Sequence, residues 1–221
     1  MPLGAALGRW QSLRPNWMET EFRHGVIAFG GGALLAAVAL VLVPEGARHL
    51  SPLAACAALV GGASSFMLLD IVLARKGTPA GQLVAMLADY LPEALALGAT
   101  LATGGKAAPL LALIIAMQNL PEGFNAYREL ANRSCQPPKR LITRFALVAL
   151  LGPVLGLTGF FLLAQATLLL GAIMLFAAGG ILYLLFQDIA PQVRLENHWG
   201  PPLGAVLGFM LGLAGQMMIG A

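Results

Sequence analysis

Two stretches hold most of the polar side chains that lie far from any loop signal. One reads Leu87-Ala88-Asp89-Tyr90-Leu91-Pro92-Glu93-Ala94, the other Ala116-Met117-Gln118-Asn119-Leu120-Pro121-Glu122-Gly123. They repeat one pattern: polar, any residue, Leu, Pro, Glu, small. Asp89 and Glu93 are four apart, as are Gln118 and Glu122, so each pair shares a helix face. Each proline lacks an N–H and displaces the turn before it, which loosens the carbonyl four residues back, at Ala88 and Met117. Three carboxylates, two amides and two loosened carbonyls are then expected to converge. Such a set of oxygens can replace the hydration shell of a divalent cation. A lone proline in a membrane helix marks a kink, and a lone buried Glu can be a protonated interhelical lock. Two Pro-Glu units at matched spacing favour an ion or proton site instead.

The elements that position these residues follow from composition. Of 221 residues, 58% are hydrophobic and 10% charged, against about 25% charged in an ordinary soluble domain. The mean hydropathy is +0.80, and the 27 glycines suit close helix packing in lipid. A water-soluble enzyme, a nucleic-acid binder and a disordered chain are excluded, and an all-α integral membrane protein is expected. Apolar runs are continuous rather than alternating, which argues against a barrel. The net charge of +3 and the pI near 9.2 reflect basic loops. Cys56 and Cys135 form no ligand spacing. Arg9 follows the weakly apolar Pro2–Gly8 stretch, the reverse of a cleavable signal.

A membrane-crossing helix needs about 20 apolar residues. Apolar runs lie between Arg23 and Glu45, from Pro52 to Ala74, within Lys76–Lys106 and from Pro109 to Tyr127. The run between Arg144 and Asp188 is too long for one crossing and is divided near Ala164-Gln165-Ala166; a last run starts at Trp199. The expected count is seven. Arg9, Arg14, Arg23, Arg75, Lys76, Arg128, Arg133, Lys139, Arg140, Arg144 and Arg194 fall on one face, and only Arg48 and Lys106 on the other. Since cytoplasmic loops retain basic residues, the N-terminus is expected inside and the C-terminus outside. Residues 1–24 then form a basic cytoplasmic tail and residues 25–221 one transmembrane domain. Asp70 and Asp188 fall near span ends, where interfacial solvation accounts for them.

With its paired Pro-Glu units, the chain resembles the ZIP (Zrt/Irt-like) family of divalent metal transporters, in which two adjacent helices carry His-Asn-x-Pro-Glu-Gly motifs. Residues 87–130 align with that region. Phe29–Pro44 is similar to the family's second helix, Ala177–Pro191 to its seventh and the glycine-rich end to its eighth. The resemblance implies a ZIP-like bundle lacking the first helix, and a permease that passes a divalent cation toward the cytoplasm; it implies no enzyme activity and no resident cofactor. Asp89, Glu93, Gln118 and Glu122 would hold the primary metal site, with Asn119 serving an adjacent one. Both motif histidines are replaced, by Asp89 and Gln118, and Tyr90 stands where the family has Asn. Oxygen ligands suit Mn²⁺, Mg²⁺ or Fe²⁺ better than zinc alone. The expected partners are a divalent metal ion and membrane lipid, with a homodimer as the candidate assembly and a bacterial-type inner (plasma) membrane as the location. The alternative is a degenerate relative that transports nothing and acts as a regulatory or structural partner.

Overall fold

The computed structural model describes residues 1–11, 21–76, 81–105, 108–133, 136–193 and 199–220. Among them the chain is helical throughout and contains no strand. The helices are α1 (Pro2–Gln11), α2 (Arg23–Ala47), α3 (Pro52–Lys76), α4 (Gly81–Ala102), α5 (Ala108–Arg133), α6 (Pro138–Leu163), α7 (Thr167–Val193) and α8 (Gly200–Gly220). Five of them, α2, α3, α6, α7 and α8, are long and apolar enough to cross a membrane. The long apolar run breaks at residues 164–166. The other two long helices are α4 and α5, 22 and 26 residues long; in α5 the polar residues from Gln118 onward dilute the apolar character. The segment expected as a tail opens with a ten-residue helix, α1.

Burial separates the helices into centre and periphery. The most apolar parts of α2 and α7 are 67% and 56% buried, against 11% in α3 and 6% in α6. Leu34, Val38 and Val41 of α2 meet Leu111 and Ile114 of α5 and Met174 and Ile181 of α7 in the main core. The outer helices pack through glycine. A Cβ on Gly32 would collide with the backbone of Ala205, which ties α2 to α8, and one on Gly98 with the backbone of Gly156, which ties α4 to α6. Small residues at such seams let backbones come close and gain dispersion contact where lipid offers no hydrophobic driving force.

Prolines account for two of the irregular turns. The π-helical segments Ala37–Leu42 and Leu185–Ile189 each end two residues before a proline, Pro44 and Pro191. A proline inside a helix leaves a carbonyl unbonded, and a widened turn absorbs the misfit. Pro92 and Pro121, by contrast, lie within continuous α-helix.

Candidate metal centre

The two motif helices are brought together by the way α4 stops. Gly104 adopts φ +65, and the N–H groups of Gly104 and Gly105 donate to the carbonyls of Leu101 and Thr100 at 3.1 and 2.9 Å. This left-handed cap needs glycine and satisfies carbonyls that the helix end leaves open. The chain then reverses into α5. Glu93 lies 11 residues before Gly104 and Gln118 lies 13 after Gly105, so these two come level, while Glu122 falls a turn further along α5. Gly30 of α2 seats the Pro121 ring, with room for no side chain of its own.

Glu93 and Gln118 meet in the centre of the bundle. They are 0% and 1% exposed, and the Gln118 amide Nε2 donates to Glu93 Oε2. Asn119 is also buried, and its Nδ2 donates to the Ile115 carbonyl at 2.7 Å. Each amide therefore spends one N–H within the protein. The oxygens that remain, Glu93 Oε1, Gln118 Oε1 and Asn119 Oδ1, are buried and receive no hydrogen bond from the described residues. Buried polar atoms are nearly always satisfied, and leaving one unmade costs about 1–3 kcal/mol, more for a charged group. Glu93 Oε1 and Gln118 Oε1, on two side chains in contact, form an environment suited to a cation.

Glu122 lies one turn further along α5 and is half-buried. The Met1 amino group stands close enough to its carboxylate to interact with it. The Asp89 side chain lies outside the described residues. Among those described, no three His, Cys, Asp or Glu side chains gather as a metal-binding group. The structure thus brings Glu93 to Gln118, with Asn119 beside them on α5. The donor set on view is carboxylate and amide oxygen, and it contains no imidazole or thiolate. That chemistry suits hard divalent ions.

Further polar residues sit around this centre. Gln118, Glu122, Asn125 and Glu129 recur on α5 at helical spacing and form one stripe. Asn125 is buried, and its Oδ1 accepts from Arg23 Nη2 at 3.5 Å. Continuing the Gln118–Glu122 period by a further turn or two finds both added members in the sequence. Tyr90 donates its hydroxyl to the Ala149 carbonyl at 3.2 Å, joining α4 to α6. The cause is Pro153, which lacks the N–H that would otherwise take that carbonyl. Asp70 accepts from the Tyr183 hydroxyl at 3.0 Å. It is therefore engaged between α3 and α7 as well as lying near a helix end, a pairing with no signal in local spacing.

No protein-family model matches the chain, and no curated protein matches it. The chemistry of the Glu93–Gln118–Asn119 group is therefore what a functional reading has to rest on.

Proposed function

We propose that the chain is a ZIP-like membrane permease that carries a divalent cation toward the cytoplasm, with Mn²⁺, Fe²⁺ or Mg²⁺ preferred over zinc alone. The observation that carries this reading is the buried Glu93–Gln118 pair, each with an oxygen that has no donor among the described residues, on two helices that also hold Asn119 and Glu122. An ionisable residue within a membrane span is costly and marks function more often than packing. Glu93 and Glu122 are assigned as the central ligands. Asp89 and Gln118 tune the site away from zinc, and Asn119 extends it. In this reading α4 and α5 cross the bilayer with the five more apolar helices, giving seven spans. The eleven basic residues on one face place the N-terminus inside and the C-terminus outside, in a plasma-type membrane. Alternating exposure of the carboxylates to the two sides would move the ion down its gradient.

One observation favours the second reading, a non-transporting partner protein. The Gln118–Glu93 hydrogen bond is also what an interhelical lock would show. Uptake into vesicles holding the purified chain separates the two. For the permease, Mn²⁺ enters and neither Glu93→Ala nor Glu122→Ala supports entry, although both insert normally. Entry indifferent to both substitutions removes the ligand assignment. Flat behaviour for Mn²⁺, Fe²⁺, Co²⁺, Zn²⁺ and Mg²⁺ alike selects the partner protein.

A further inference from the structure

Three consecutive glycines of α2 face three different helices. Neighbouring residues of an α-helix are turned by about 100° from one another, so a run of three looks in three directions. All three glycines are buried. A Cβ on Gly30 would stand 2.7 Å from Pro121 Cγ and 3.0 Å from Pro121 Cβ, on α5. One on Gly31 would stand 2.8 Å from Ile189 Cγ2 and 3.1 Å from Leu185 Cδ1, in the widened turn of α7. One on Gly32 would collide with the backbone of Ala205, on α8, and Gly208 of α8 returns that contact, 2.9 Å from the Ala33 nitrogen. These contacts differ in kind. α2 meets α8 backbone to backbone, where nothing can yield, but it meets α5 through a proline ring.

That ring sits where α5 is least able to hold its own shape. Pro121 has no N–H to give to the Met117 carbonyl, so one hydrogen bond is missing from the turn that carries Gln118 and Glu122. How these two side chains are set relative to each other then depends on what presses on the turn from outside. On one side that is Gly30. Pro121 also borders an open apolar cleft of about 530 Å³, lined by Val26 and Phe29 of α2, Leu120 of α5, and Leu203 and Leu207 of α8. A ring pushed off Gly30 has this space to enter. A methyl group at position 30 would therefore displace the turn without unpacking the bundle.

We propose that Gly30 is a positioning residue for the cation site: by admitting the Pro121 ring against α2, it sets Glu122 relative to Gln118 and Glu93. The proposal rests on the permease reading above and adds a residue on a third helix that touches no ion. The magnitudes favour a functional effect over a neutral one. An added Cβ would stand about 1 Å inside the roughly 3.5–4.0 Å of ordinary carbon contact. A ligand set has to be held within about 0.5 Å of its working geometry. The displacement exceeds that tolerance.

The test uses Gly30→Ala, Pro121→Ala, the double variant and Gly32→Ala. Each is made in the full chain and reconstituted in vesicles that enclose a Mn²⁺-sensitive dye, and entry is measured against Mn²⁺ concentration. Gly30→Ala is expected to insert normally and to raise the half-saturating concentration roughly tenfold, since losing a support around a metal site costs about 10–100-fold in affinity. In the Pro121→Ala background, where the Cγ that meets the new methyl is gone, Gly30→Ala is expected to add no more than about a further twofold. Gly32→Ala, which strikes backbone, is expected to lower the amount of inserted protein instead. Unchanged half-saturation in Gly30→Ala overturns the positioning role and leaves the permease standing. Full additivity of the two substitutions also overturns it. Normal insertion of Gly32→Ala with the same rise would assign the effect to α2 as a whole and overturn it as well. Should Gly30→Ala fail to insert, the double variant decides: recovered insertion upholds the Gly30–Pro121 contact as the cause, and failure of both rejects it. Absence of Mn²⁺ entry in the unaltered chain overturns the permease and the positioning role together.

Discussion

Replacing Glu93 by Gln separates a ligand from a lock, because the two roles give opposite signs of stability change. The carboxylate is 0% exposed and, among the described residues, receives a hydrogen bond only at Oε2, from Gln118. Glutamine has the same shape and keeps a neutral hydrogen bond to Gln118. The exchange loses roughly 1 kcal/mol, the difference between charged and neutral hydrogen bonds. It removes a buried charge whose desolvation costs several kcal/mol even after relaxation. The net is a gain of at least about 1 kcal/mol for the metal-free protein, or roughly 2–4 °C in Tm at this chain length. Binding moves the other way. Mn²⁺ at a hundred times its Kd stabilises the wild type by about 2.7 kcal/mol, roughly 5–11 °C on the same scale. The E93Q protein is expected to show almost none of that rise. The assay is thermal unfolding in detergent, with and without Mn²⁺, on both proteins. A lower metal-free Tm in E93Q, with no Mn²⁺ response in the wild type, would show that Glu93 is a structural lock. An undiminished Mn²⁺ response in E93Q would show that the ion binds elsewhere.

Three other substitutions probe the frame around the site. Tyr90→Phe leaves the Ala149 carbonyl without its donor and is expected to cost about 0.5–1.5 kcal/mol, seen as a lower Tm with cation uptake retained. Gly98→Leu drives a side chain into the backbone of Gly156, and overpacking of about 1–3 kcal/mol or more is expected to reduce the amount of folded protein recovered in detergent. Topology is read by labelling single cysteines in intact cells: an impermeant thiol reagent is expected to reach Arg48→Cys and not Cys135, and the reverse pattern would invert the orientation.

How far the structure could be read from the sequence depended on whether the signal was local. Long charge-free runs mark α2, α3, α6, α7 and α8, because continuous apolar surface has no other use in a chain so poor in charge. The division of the longest run at residues 164–166 is marked by one polar residue, Gln165, between alanines. The meeting of Glu93 and Gln118 follows from their similar separations from the glycine turn, 11 and 13 residues, whereas Glu122, 17 residues from it, falls a turn further along α5. What could not be read lay between elements. Residues 2–11 are too short for a span and carry Arg9 in their last turn, so they look like a tail. Their fit to α5 depends on the close approach of Gly4, Gly8 and Gly123, which no periodicity within the segment reveals. Tyr90 looks like a departure from a motif until Pro153 is noticed to free Ala149 on another helix. The Tyr183–Asp70 bond joins residues 113 apart, and neither residue's neighbours hint at the other.

The most direct test of the central claim is diffraction from crystals soaked separately in Mn²⁺ and Zn²⁺, with anomalous scattering used to find the metal. A Mn²⁺ peak between α4 and α5, bonded to Glu93 and to the amide oxygen of Gln118, is the expected result, with a weaker peak or none for Zn²⁺. No density at that point under saturating Mn²⁺, with Glu93 still held only by Gln118, would contradict it.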